Sequence, residues 1–83
     1  MFLEIITPDR HVFDGEVTSA TFPGSSGSFQ VLRNHAPIIS ALDKGEVSYR
    51  TDDGEHSLTI EGGVVEVLNN KITVLVERVI EEE

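Results

Sequence analysis

No window of this chain repeats its apolar residues at the three- and four-residue spacing of a helix. Turn signals instead recur about every 8–12 residues, the rhythm of a sandwich or barrel of short strands. The segment His56-Ser57-Leu58-Thr59-Ile60-Glu61 alternates, with Leu58 and Ile60 on one face and Ser57, Thr59 and Glu61 on the other. That is the pattern of a half-buried strand. Val47-Ser48-Tyr49-Arg50 alternates in the same way, and Asp53-Gly54 between the two reads as a hairpin turn, because both residues accept a positive φ. Asn69-Asn70 reads as a second hairpin turn, between Val64–Leu68 and Lys71–Val76. Gly62-Gly63 marks a sharp corner or bulge. Ile72-Thr73-Val74-Leu75-Val76 is apolar on both faces, which predicts a central strand or one whose outer face meets a partner.

The remaining elements follow by composition. A first strand over Phe2–Thr7 stops at Pro8-Asp9. A long segment from His11 to Phe22 is interrupted at Asp14-Gly15, predicted as a turn or bulge. Pro23 to Ser28 is a loop. Glu46–Arg50 fits an edge strand as well as an interior one, since Arg50 and Asp52 would blunt an edge. Two apolar runs, Phe29–Leu32 and Ile38–Leu42, flank Arg33-Asn34-His35, and Pro37 forces Ala36 into an extended conformation. His35–Ser40 is the best candidate for a single helical turn, weakened by Pro37. The expected fold is all-β: one small antiparallel sandwich of two packed sheets, with roughly eight to ten short strands, spanning residues 1–83.

Bulk properties narrow the function. A domain of 83 residues buries only roughly 60–65% of its unfolded surface, so a permanent partner would stabilise it. There is no cysteine, which excludes disulfides and thiolate-bound zinc. No apolar run reaches the roughly 18 residues of a membrane span, and the start of the chain, with Glu4 and no basic leader, does not read as a signal peptide. Fifteen acids against six Lys and Arg give a net charge of −9, which disfavours nucleic acid and anionic lipid and suits a protein partner with a basic surface.

No constellation announces catalysis. Ser40, His35 and Asp43 supply the residue types of a nucleophilic triad without its motif, and Gly24-Ser25-Ser26-Gly27 lacks the spacing of a nucleophile elbow. Asp9, His11 and Asp14 have no second histidine nearby to make a metal site. Asp52-Asp53-Gly54-Glu55 is too short for a calcium loop. The Gly-rich loop before Phe29 lacks the Gly-Lys-Ser/Thr ending of a phosphate cradle, leaving a connector or a contact loop for a protein partner. His35 reads as a structural histidine that fixes a turn. Apolar residues crowd the last twenty positions, so that Leu75 and Ile80 fall on a second face that a partner could cover.

Several of these motifs, in this order, resemble the N-terminal β-sandwich domain of the epsilon subunit of F-type ATP synthases. The matching segments are Leu3–Pro8, Val12–Val17, Pro23–Gly27, His35-Ala36-Pro37 with Leu42 and Gly45, Gly62–Val67, and Asn70–Leu75. The chain departs from the family pattern at Gln30, where glycine is usual, at Arg33, where proline is usual, and at Ser28, where an acid is frequent. It corresponds to the sandwich without the two-helix domain found in many relatives.

The resemblance implies a non-catalytic rotor-stalk subunit with no cofactor. Such a subunit binds gamma, touches the polar loops of the c-ring, and couples proton flow to ATP synthesis on other subunits. It would sit peripherally, as part of the complex, at the cytoplasmic face of the cell membrane. By the same resemblance, the ring-facing residues are Gly24, Ser25, Ser26, Gly27 and Ser28 together with Arg33, Asn34 and His35. The expected gamma-facing residues are Ala36, Pro37, Ile38, Leu42, Val65 and Val67. The rival readings are a free-standing binding module, against which the lack of Trp and scarcity of aromatic residues speak, and an enzyme centred on His35.

Overall fold

A computed structural model describes residues 1–80; the terminal acidic run Glu81-Glu82-Glu83 lies outside the described residues. Among the described residues there are ten strands and no helix. They are β1 (Phe2–Ile6), β2 (His11–Glu16), β3 (Ser19–Phe22), β4 (Phe29–Leu32), β5 (Ile38–Leu42), β6 (Gly45–Thr51), β7 (Gly54–Ile60), β8 (Gly63–Leu68), β9 (Lys71–Val76) and β10 (Val79–Ile80). They form two five-stranded sheets, β2-β1-β9-β8-β5 and β10-β7-β6-β3-β4, called here the first and second sheets. All neighbours are antiparallel except β1 and β9, which run parallel.

The alternation seen in the sequence sets which side chains meet between the sheets. From the first sheet come Leu3, Ile5, Leu42, Val65, Val67, Ile72, Val74 and Val76; from the second come Ala20, Phe22, Val31, Val47, Tyr49 and Ile60, all buried. The aromatic contacts Phe22–Phe29 and Phe13–Tyr49, with ring centroids 5.7 and 4.5 Å apart, extend this core toward its margins. Burying a side chain of this size contributes about 1.5–3 kcal/mol, so these positions dominate the stability of so small a domain.

Some local expectations are corrected. Asp14-Gly15 does not interrupt β2; the register against β1 slips nearby, with Ile5 opposite Phe13 and Ile6 opposite His11, leaving Val12 as the extra residue. β6 is an interior strand between β3 and β7, and Arg50 stays in solvent by pointing away from the core and pairing with Glu55 at 3.3 Å. No helical turn forms at His35–Ser40, because β5 begins at Ile38 directly after Pro37. Expectations that agree include the interior place of β9 and both hairpins, with Asn69 and Asn70 at φ of 53° and 61°.

Tracing the chain between sheets divides the sandwich into two ends. At one end the chain crosses at Asp43-Lys44, Glu61-Gly62 and Glu77-Arg78, and the Pro23–Ser28 loop lies there too. At the other end it crosses at Val17-Thr18 and Arg33–Pro37, beside the β8–β9 turn.

Candidate functional site

The Gly24–Ser28 loop is fixed by hydrogen bonding to the end of β5. The Ser25 amide donates to the Ala41 carbonyl at 3.0 Å, the Asp43 amide donates to the Pro23 carbonyl at 2.8 Å, and the Ser25 hydroxyl donates to Asp43 Oδ1 at 2.8 Å. Gly24 is buried at the base of the loop, where a Cβ would come within 2.6 Å of the Gly27 carbonyl oxygen and 2.9 Å of the Phe29 ring. Ser25, Ser26, Gly27 and Ser28 are exposed. The loop is therefore a presented surface on a fixed base, and it also covers part of the β5 edge, where Gly24 bridges Leu42.

The Arg33–Pro37 crossover is held differently. Asn34, at a φ of 65°, donates its amide to Asn70 Oδ1 at 2.7 Å, and Asn70 Nδ2 donates back to Asn34 Oδ1 at 2.9 Å. The His35 amide donates to the Leu32 carbonyl at 3.1 Å, and its ring Nδ1 lies 2.7 Å from the Ala36 carbonyl, which requires the proton on Nδ1. The half-buried His35 is thus a turn-fixing residue.

β4 separates the two loops. Gly24–Ser28 precede that strand and Arg33–His35 follow it, so they sit at opposite ends of the sandwich, with the strand's length of roughly 13 Å between them. The two halves of the expected ring-facing set are not brought together. Of the expected gamma-facing set, Ala36 and Pro37 are exposed and Ile38 is half-buried against the core. Leu42, Val65 and Val67 are 5%, 0% and 1% exposed, so their side chains belong to the core and are not available to a partner. The register explains the parity. Gly63 pairs with Val76 and Val65 with Val74, which turns Val65 and Val67 inward and Val64, Glu66 and Leu68 outward.

The outward residues of the first sheet form a surface that the sequence reading found only at Leu75. Cross-strand pairing aligns Ala41, Val64, Leu75 and Ile6 in one row across β5, β8, β9 and β1. Ile39 and Leu68 lie on the same face, and Ile39 is 74% exposed. Ile6, Pro8, Val64 and Leu75 line a shallow groove of about 560 Å³. The outer face of the second sheet is different, with cross-strand sets such as Gln30, Thr21, Ser48 and Ser57. Of the five large exposed hydrophobic residues among the described residues, Ile39, Val64, Leu68 and Leu75 are on the first sheet and Leu32 is on the second. One face is made to stay in water and the other carries an apolar stripe suited to a protein surface.

The candidate reactive sets are not assembled. Ser40 donates to the Ala41 carbonyl, His35 bonds the Ala36 carbonyl, and Asp43 accepts from Ser25, so the three share no hydrogen bond. Asp9 accepts from the Thr7 hydroxyl, while His11 Nε2 lies 3.2 Å from Asp14 and 3.6 Å from Glu4 on the outer face of the first sheet. No group of three or more metal-ligating side chains occurs among the described residues. Glu55 of the acidic hairpin pairs with Arg50. Burial raises the Tyr49 pKa from its ordinary value of 10.0, and its ring packs on Phe13 and stacks on His56.

The arrangement is a two-sheet β-sandwich domain with one apolar sheet face and two fixed loops. Residues 1–82 match the model of the ATP synthase Delta/Epsilon chain β-sandwich domain, and the chain belongs to that family. It is 46% identical over 78 residues to an ATP synthase epsilon chain of Chlorobium limicola, covering 93% of this chain and 89% of that one. It is 45% identical over 76 residues to the chloroplastic epsilon chain of Cyanidioschyzon merolae, covering 92% of this chain but only 58% of that relative. Its fold is shared with chains in two mitochondrial ATP synthase structures. One is the central stalk and c-ring of Tetrahymena thermophila, with TM-score 0.82 and 15% identity, covering 96% of this chain and 65% of that one. The other is the Euglena gracilis assembly, with TM-score 0.86 and 20% identity, covering 94% and 51%.

Proposed function

We propose that this chain is a non-catalytic epsilon-type subunit of an F-type ATP synthase, acting in the central stalk between gamma and the c-ring. The observation that carries the reading is the family match over residues 1–82, with an epsilon chain of nearly the same extent at 46% identity. The geometry supports the following assignment of roles. The outer face of the first sheet, with Ile39, Val64, Leu68 and Leu75, docks gamma. This replaces the inward-facing Val65 and Val67 with their outward neighbours. Ala36 and Pro37 flank that face.

Since the two loops occupy opposite ends, one end faces the ring. The exposed Ser25–Ser28 tip, pinned to β5, presents small polar groups on a fixed base and suits a lasting contact with polar loops, so Gly24–Ser28 is assigned to the c-ring. Arg33, Asn34 and His35, beside the first sheet, are assigned to the gamma side. A net charge of −9 favours basic partner surfaces and steers encounter with them. The subunit is held at the cytoplasmic side of the membrane by the complex; no helix among the described residues is long and apolar enough to cross.

The test is reconstitution. Synthase stripped of its own epsilon subunit and given this chain should regain proton-coupled ATP synthesis. Incorporation without any gain in coupling, or no incorporation, would overturn the proposal.

A further inference from the structure

We infer that Asn70 is the positioning residue for the Asn34-His35 corner, and that it sets this corner in place for gamma. The inference rests on the functional reading above. Arg33–Pro37 is a five-residue crossover between sheets, and such a segment would be compliant on its own. Asn70 removes that freedom with two side-chain bonds to the corner and a backbone bond that anchors Asn70 itself. Its side chain accepts from the Asn34 amide at 2.7 Å and donates to Asn34 Oδ1 at 2.9 Å. Its own carbonyl accepts from the Phe2 amide at 3.0 Å. Phe2 belongs to β1, which pairs directly with β9, so the corner is tied to the middle of the first sheet rather than to an edge.

Both asparagines hold positive φ, 65° and 61°, a conformation that asparagine tolerates better than most residues with side chains. Glycine would serve the dihedral equally well, but it could not make the reciprocal pair. Asn69, at a φ of 53° in the same turn, makes no such bond to Asn34. The residue type at position 70 thus answers to the clamp as well as to the turn. A corner locked before binding need not be ordered at the moment of binding, so the clamp should slow dissociation rather than speed encounter.

The experiment separates turn from clamp. Asn70→Gly keeps the backbone preference and deletes the side chain; Asn69→Gly perturbs the same turn without touching the clamp; Asn70→Asp restores an acceptor for the Asn34 amide. Binding to cognate gamma is followed by surface capture, and protection of the Asn34 amide by hydrogen exchange on the free chain. The expected result is about five- to tenfold faster dissociation for Asn70→Gly, with lost Asn34 protection. Asn69→Gly should behave as the parent chain, and Asn70→Asp should recover most of the parent residence time.

The inference fails if Asn70→Gly and the parent dissociate alike, or if Asn69→Gly is equally impaired. If Asn70→Gly does not fold, Asn34→Gly, which removes only the returning bond, must show an intermediate dissociation rate, and parental behaviour overturns the inference. If the parent chain itself does not bind gamma, the functional reading fails instead.

Discussion

Gly63→Ala is the substitution whose effect the fold determines most sharply. Gly63 opens β8 where that strand is held on both sides, opposite Val76 of β9 and opposite Leu42 of β5. A methyl group there would overlap the Leu75 carbonyl oxygen and lie 2.8 Å from the Val76 Cα. Both are backbone atoms of a paired strand, so no rotamer change relieves the overlap. The φ of 158° lies at the margin of the range that residues with a Cβ rarely adopt, so the dihedral adds to the steric cost. Overpacking costs roughly 1–3 kcal/mol, and with neither neighbouring strand free to shift the upper end, about 3 kcal/mol, applies. A domain of this length has a total stability of about 4–12 kcal/mol, and the loss corresponds to a fall in melting temperature of roughly 12–24 °C.

Gly27→Ala is the control. Its φ is 127°, but nothing lies within 4 Å of the added atom and the loop can relax, so about 1 kcal/mol is expected. Urea unfolding followed by far-ultraviolet circular dichroism measures both. A Gly63→Ala cost below about 1 kcal/mol, or one smaller than that of Gly27→Ala, would refute the steric argument.

Three further outcomes are expected. Ile72→Ala, at a fully buried position between Leu3 of β1 and Val67 of β8, should cost about 3–4 kcal/mol in the same assay. Leu75→Gln on the exposed face should leave the melting temperature within about 4 °C of the parent yet weaken gamma binding about tenfold or more; equal binding would remove that face from the interface. Burial raises the Tyr49 pKa above its unfolded value of 10.0, so the folded chain keeps a proton that the unfolded chain releases. The associated stability is fully present below pH 10 and is lost as pH rises through the folded pKa, and Tyr49→Phe should remove that alkaline loss in pH-dependent melts.

Much of the fold was legible in local pattern. Alternation at Leu58 and Ile60, the Asp53-Gly54 and Asn69-Asn70 turns, and the doubly apolar β9 each follow from properties of adjacent residues. What was not legible depends on residues far apart. The parallel pairing of β1 with β9 joins the two ends of the chain, and no local signal marks it. β6 could equally have been an edge, because Arg50 and Asp52 are charged, but an interior strand with one solvated face tolerates charge on that face.

The same limit governed the site. In Gly63-Val64-Val65-Glu66-Val67-Leu68 the valines at 64 and 65 are equivalent by type, and only the pairing of Gly63 with Val76 decides which one faces out. The Gly24–Ser28 and His35 motifs are close in sequence, yet a four-residue strand places them at opposite ends. The Asn34–Asn70 clamp left no trace of its own in the sequence, because a two-residue turn with positive φ at both positions already accounts for Asn69-Asn70.

The most direct test of the central claim is gel filtration of this chain with its cognate gamma subunit, with Leu75→Gln run in parallel. The parent chain is expected to co-elute with gamma in equal amounts and the variant to elute largely apart from it. A folded parent chain that elutes alone would contradict the account.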